Sequence, residues 1–172
     1  MTTLPSVGDL SRLDLLDYSF MRLDLLGIDR YGGRAALADE ISSMPDLVAD
    51  APPRGRLADI FGTLWAEVYL VTDRFLDVLR SEQLAGWSAV RVTVNGNPSV
   101  PPVSMLQVTG RCGPILTPGI GRYLNPGTLD GSDLFVPANE STILLSPTAT
   151  AALSQANLVN VEVEPAGLEP SE

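Results

Sequence analysis

YLVTDRFLDVLRSEQLAGWSAVRV, residues 69–92, returns in the same register as ILLSPTATAALSQANLVNVEVE, residues 143–164. A displacement of 74 positions lays Val71 on Leu145, Thr72 on Ser146, Val78 on Ala152, Leu79 on Leu153, Leu84 on Leu158 and Trp87 on Val161, with no gap. Each copy reads as an apolar strand, a helix-capping hydroxyl, a short amphipathic helix and a second apolar strand. The Thr72 and Ser146 side chains suit an N-cap, where accepting an orphan backbone N–H is worth about 1 kcal/mol. Asp73 and Pro147 follow at the first helical position, Asp favoured by the helix dipole and Pro because its missing N–H is not needed there. Phe75, Leu76, Val78 and Leu79 form the apolar stripe, with Gly86 and Asn160 expected to provide the left-handed turn that ends each helix. Strand character resumes at Trp87, Ala89 or Val90, Val92 and Val94, and again at Val161 and Val163.

Two copies are too few for a solenoid. The expected fold is therefore one α+β domain with a mixed, mainly antiparallel sheet and two related strand–helix–strand modules. Residues 57–172 would form the twin-module core with an acidic C-terminal part, and residues 1–56 an N-terminal strand and irregular region of the same domain.

The chain of 172 residues, 45% of them hydrophobic, is long enough for a real core. No apolar run approaches the roughly 18 to 20 residues of a membrane span, and the opening MTTLPSVGDLSR lacks the pattern of a secretory signal, so a cytoplasmic location is expected. There is no histidine and one cysteine, Cys112, which excludes an intramolecular disulfide and a multi-cysteine metal site and removes the commonest catalytic base. The net charge of −10 is lopsided: residues 123–172 hold seven acids and no base. Such a field repels nucleic acid and anionic lipid and speeds association with a cationic partner.

RLDLL occurs twice, at Arg12–Leu16 and Arg22–Leu26. Tyr18, Phe20, Met21, Leu23 and Leu25 predict a strand, and Leu10, Leu13 and Leu16 fit a short helical turn. A helix is expected over Ala35–Ser42, a helical turn over Leu57–Gly62, and an irregular joint at NGNPSVPP (95–102) separating the modules. VSMLQV (103–108) predicts a strand, residues 117–133 a long loop, and residues 165–172 a frayed tail. Trp87 is expected to pack in the core, while Trp65 reads equally as a surface anchor.

Asp130 and Asp133 in LDGSDLF stand three apart, a spacing that would let two carboxylates share a proton or hold a hard cation. Turn chemistry explains the same residues more simply, since Asp-Gly and Ser are turn formers and a calcium loop needs further oxygen ligands that are not present. Cys112 beside Arg111 lacks any visible base and reads as a small buried side chain. GPILTPGIG lacks the lysine and the strand-to-helix setting of a phosphate loop.

LDGSDLFVPANESTILLSPTATAALSQANLVNVEVEPAG resembles the C-terminal part of bacterial immunity proteins that neutralise polymorphic or contact-dependent toxins. The resemblance is carried by Asp130, Gly131, Asp133, Phe135, Ile143 to Leu145, Ser146, Leu153, Leu158, Asn160 and Pro165. VYLVTDRFLDVLRSEQLAGW and VTGRCGPI upstream are similar to the family's preceding elements, so the likeness covers roughly residues 57–165. One branch carries paired CXXCG motifs that bind metal; with Cys112 alone this chain departs from it, and neither a metal nor another cofactor is expected. The resemblance implies a non-catalytic, stoichiometric inhibitor whose partner is a basic toxin domain. Asp130, Asp133, Glu140, Glu162 and Glu164 are the candidate docking residues, chosen for charge and location; Glu162 and Glu164 would also serve simply to solvate the last strand. The rival readings are an enzyme using the Asp130/Asp133 pair and a structural or adaptor subunit that self-associates through sheet edges.

Overall fold

The computed structural model describes residues 5–17, 21–24, 47–51, 58–63, 68–96 and 98–171. They form an α+β fold with mostly antiparallel pairing. The first module contains β4 (Ile60–Phe61), β5 (Tyr69–Thr72), α1 (Asp73–Ser81), β6 (Trp87–Asn95) and β7 (Val103–Val108). The second contains β10 (Leu134–Pro137), β11 (Ile143–Leu145), α2 (Pro147–Gln155) and β12 (Val161–Pro165). Around them lie β1 (Ser11–Leu15), β2 (Arg22–Asp24), β3 (Leu47–Asp50), β8 (Gly110–Cys112), β9 (Tyr123–Leu124) and β13 (Glu169–Pro170). One sheet runs β2-β3-β6-β7-β5-β4, a second runs β12-β1-β11-β10-β8, and β13 pairs with β9.

The 74-residue displacement maps α1 onto α2 at both ends, β5 onto β11 and the start of β6 onto the start of β12. It also maps cross-strand pairs: Ile60 faces Val71 as Leu134 faces Leu145. The second module lacks a following strand equivalent to β7, and the N-terminal β1 takes that place. Ser11 faces Leu145 and Pro165, just as Ser104 faces Val71 and Arg91, and Leu13 faces Ile143 and Val163 as Leu106 faces Tyr69 and Ala89. The core strand order β12-β1-β11-β10 therefore repeats β6-β7-β5-β4. SRLDL and SMLQV, 93 positions apart, are the sequence trace of this equivalence.

Two aspartates join the halves. Asp59 Oδ1 accepts from the Thr72 hydroxyl (2.7 Å) and Asp133 Oδ1 from the Ser146 hydroxyl (2.6 Å). Each hydroxyl in turn accepts the helix N–H of Phe75 (3.4 Å) or Ala149 (3.1 Å), the expected N-caps. The other carboxylate oxygens cross between modules: Asp59 Oδ2 accepts from the Val159 N–H (2.8 Å) and Asp133 Oδ2 from the Ala85 N–H (2.9 Å). The backbone reciprocates, Asp59 N–H donating to Val159 O (2.9 Å) and Asp133 N–H to Ala85 O (3.0 Å). Each aspartate thus caps its own helix through a hydroxyl and holds the loop that follows the other helix.

The central core draws on both modules, with Ile60, Val71, Phe75, Leu76 and Leu79 meeting Leu13, Leu134, Ile143, Leu145 and Leu153. Phe61 and Phe135, again 74 apart, anchor two flanking clusters. Fully burying a side chain of this kind is worth roughly 1.5 to 3 kcal/mol. Ile60 and Phe61 enter different clusters, so the backbone there must be extended: the expected helical turn over 57–62 is replaced by β4. The helical spacing of Leu10, Leu13 and Leu16 likewise yields to period-two alternation, with Leu13 buried, Leu15 packed on the core and Leu16 68% exposed. The helices end at Ser81 and Gln155, and the left-handed residues nearest those ends are Gln83 and Asn157. Gly86 (φ +91°) and Asn160 (φ +70°) do adopt the left-handed turn, but as lead-ins to β6 and β12. Any Cβ at Gly86 would lie 2.3 Å from Leu134 O, so a side chain is excluded.

Two further expectations are corrected. Residues 95–102 join β6 to β7 inside one module, because the two strands pair along their length. The tail is held: Ala166 and Leu168 are buried and β13 pairs with β9. Beyond β7, which ends at Val108, the separate strand β8 begins at Gly110 and pairs in parallel with β10. Trp87 packs against the central core and donates its indole N–H to Leu84 O (2.8 Å). The predicted helix over Ala35–Ser42 and Trp65 lie outside the described residues, as does half of the strand expected over residues 18–25, whose described part contains β2.

Orphaning a buried donor costs on the order of 1–3 kcal/mol. Asp59→Ala, which strands the buried Thr72 hydroxyl, is expected to destabilise within that range, and Asp133→Ala, at a half-buried site, by less. Asp77→Ala, at an exposed pair, should shift the urea midpoint negligibly.

Candidate partner-binding face

The five acidic candidates fall into three groups. Asp130 and Asp133 belong to the frame. Asp130 is exposed, but Oδ2 accepts from the Arg111 N–H (2.7 Å) and Oδ1 from the Ser132 N–H (2.9 Å). Burial pushes its carboxyl up, yet the backbone N–H groups of Arg111 and Ser132 outweigh that and hold it below the ordinary value. Asp133 is engaged as described above, by donors that it does not share with Asp130. Glu140 forms a partly buried pair with Arg122 (2.6 Å), whose other contact is to Ala166 O, so it secures the C-terminal segment.

Glu162 and Glu164 lie on β12, opposite Asp14 and Arg12 of β1. Arg12 donates Nε to Glu164 Oε2 (3.1 Å) and pairs with it through Nη2; this hydrogen bond raises the Arg12 pKa against the smaller effect of burial. The second pair sets carboxylate against carboxylate, a directly opposed like-charge arrangement that disfavours the sheet. Asp14 Oδ1 accepts the adjacent Leu15 N–H (2.8 Å), and among the described residues nothing pairs with the Glu162 carboxylate. Alternation with Val161 and Val163, which pack on the central core, sets both glutamates on the opposite face, where they are half-buried.

The described arginine side chains are all engaged within the chain. Arg74, Arg80, Arg91 and Arg122 pair with Asp59, Asp77, Asp73 and Glu140, while Arg111 donates to Val108 O and Gly110 O. Asp59 and the reach of Arg74 to Ala156 O and Asn157 O were missed in the sequence. The signal was present, since Asp-Ile-Phe at 59–61 aligns with Asp-Leu-Phe at 133–135 in the same register.

Cys112 is buried, and burial followed by the nearby Asp130 charge pushes its thiol up to about 11, so it stays protonated at neutral pH. Among the described residues, no group of three or more Asp, Glu or Cys side chains is placed to hold a metal ion. A shallow groove of about 350 Å³ between the helices is lined by residues such as Val78, Ser81, Ala151 and Gln155, with Glu82 its one ionisable group. No described helix is long and apolar enough to cross a membrane. No family model matches the chain, and no curated protein matches it.

Asp130, with a folded-state pKa below its unfolded one, contributes stability above pH 4 that is lost as pH falls through the folded value. Asp130→Asn is expected to lower stability at neutral pH and to flatten the decline below about pH 4, read from urea midpoints between about pH 2 and 7.

Proposed function

We propose that this protein is an immunity protein: a non-catalytic, stoichiometric inhibitor that binds a basic bacterial toxin domain in the cytoplasm. One observation carries the reading. The described arginine side chains are turned onto internal partners, while Asp14 and Glu162 face each other with no ion-pair partner of their own among the described residues, Arg12 acting on both only from its pair with Glu164. The described residues therefore carry excess carboxylate, in line with the net charge of −10, the sign that steers a cationic protein and repels nucleic acid. The resemblance of residues 57–165 to immunity proteins points the same way. Inhibition by occlusion needs a rigid surface and no reacting group, in keeping with carboxylates of Asp130 and Asp133 that are engaged by separate frame donors.

The reading requires a neighbouring reading frame for a large protein with a variable C-terminal domain, and the test is co-expression of that domain with this chain. That domain alone should arrest growth, and this chain should restore it through a one-to-one complex whose association slows steeply with added salt. Survival without this chain, or restored growth with no complex on size exclusion, would overturn the reading.

A further inference from the structure

The internal repeat supplies a control for every residue of the β1/β12 face. Asp14 and Glu162 occupy the positions held in the first module by Gln107 and Ser88. There the Ser88 hydroxyl donates to Gln107 Oε1 at 3.0 Å, a neutral and satisfied pair. Arg12 and Glu164 replace Met105 and Val90, an apolar pair on a flanking core cluster. The same backbone therefore folds with neutral side chains at all four sites. The opposed carboxylates of the second module are not demanded by the architecture, and they act against it.

Among the described residues, the strand that carries them has an open side. β12 is the terminal strand of its sheet, pairing with β1 alone among the described residues. Leu16 N–H donates to Asn160 O (3.1 Å) and Ala166 N–H to Leu10 O (3.0 Å). Hydrogen-bonded pairs alternate along an antiparallel ladder, so these two fix Asp14/Glu162 and Arg12/Glu164 as bonded pairs as well. The backbone N–H and C=O of Val161 and Val163 then turn outward, and Pro165 closes the row with no N–H to offer.

We infer that β12 is a docking edge for strand addition by an extended segment of the partner carrying Arg or Lys at alternating positions. Main-chain bonds to Val161 and Val163 would supply the pairing, and cations beside Asp14 and Glu162 the selectivity. A second copy of this chain fits poorly: antiparallel pairing of β12 with itself sets glutamate against glutamate in every register that pairs Val161 and Val163. The inference rests on the proposed immunity reading for the identity of the partner, but not for the chemistry of the edge.

Two variants test it. Asp14→Gln with Glu162→Ser copies the neutral pair of the first module, and should raise the urea midpoint while weakening binding about tenfold or more. Val163→Pro removes one outward N–H at a position where an edge strand tolerates proline, and should weaken binding similarly. The probes are the toxin domain of the co-expression test and a synthetic hexapeptide of alternating Arg and Val, with exchange of the Val161 and Val163 amides followed by NMR. Protection of those amides by either probe, lost at both in the double variant and at Val161 in Val163→Pro, supports the edge. If the domain binds but the amides stay unprotected, or both variants bind as the parent does, the edge is wrong and the immunity reading stands. If the peptide protects the amides while the domain does not bind, the reading fails and the edge stands; if neither probe protects them, the edge fails. Dimerisation through β12 at neutral pH would also overturn the choice of partner.

Discussion

Asp59 and Asp133 fix the relation between the two halves. Each carboxylate has one oxygen on the hydroxyl that caps its own helix and one on a backbone amide of the opposite module. An N-cap is normally a local device, satisfied within a few residues. Here it extends through the aspartate to a loop on the far side of the molecule, so neither helix start is fully set until both modules are in place. The central core has the same property, because Leu134, Ile143 and Leu145 pack with Ile60, Val71 and Phe75. Local capping, long-range hydrogen bonding and apolar burial thus converge on one arrangement, the consistency across levels that lets a sequence specify a single fold.

What was legible in the sequence follows from the range of the forces involved. The caps at Thr72 and Ser146, the helical stripes and strand β7 depend on neighbours and were read correctly. The part played by Asp59 was not, because its partners lie 13 and 100 residues away and nothing local distinguishes it from a solvated side chain. β1 was misread because three leucines at helical spacing compete with the strand alternation of Leu13 and Leu15, and only pairing with β11 and β12 decides between them. The tail looked solvated from its Pro, Gly and Glu content, yet Ala166 and Leu168 are drawn into the cluster anchored by Phe135. Of the candidate docking residues, charge located all five but could not sort them. Asp130, Asp133 and Glu140 turned out to hold the frame, a distinction that depends on hydrogen-bond partners and not on composition.

Backbone symmetry and chemical asymmetry divide the labour between the modules. Equivalent positions carry Ser88 and Gln107 on one side and Glu162 and Asp14 on the other, although the strands beneath them pair in the same register. A fused pair of similar modules can keep one copy optimised for packing while the other carries residues that lower stability in exchange for recognition. Opposed carboxylates at a sheet edge also discourage uncontrolled strand pairing, the hazard that every open edge presents.

The position of β1 bears on how the chain is made. Arg12 and its partner Glu164 are separated by 152 residues, so β1 must wait for the synthesis of β12 before its sheet can close. The strands and helix of the first module are contiguous in sequence and can begin to collapse during translation, while the second assembles only once β12 has joined β1. Contacts of such long sequence separation slow folding and prolong the life of partly built species.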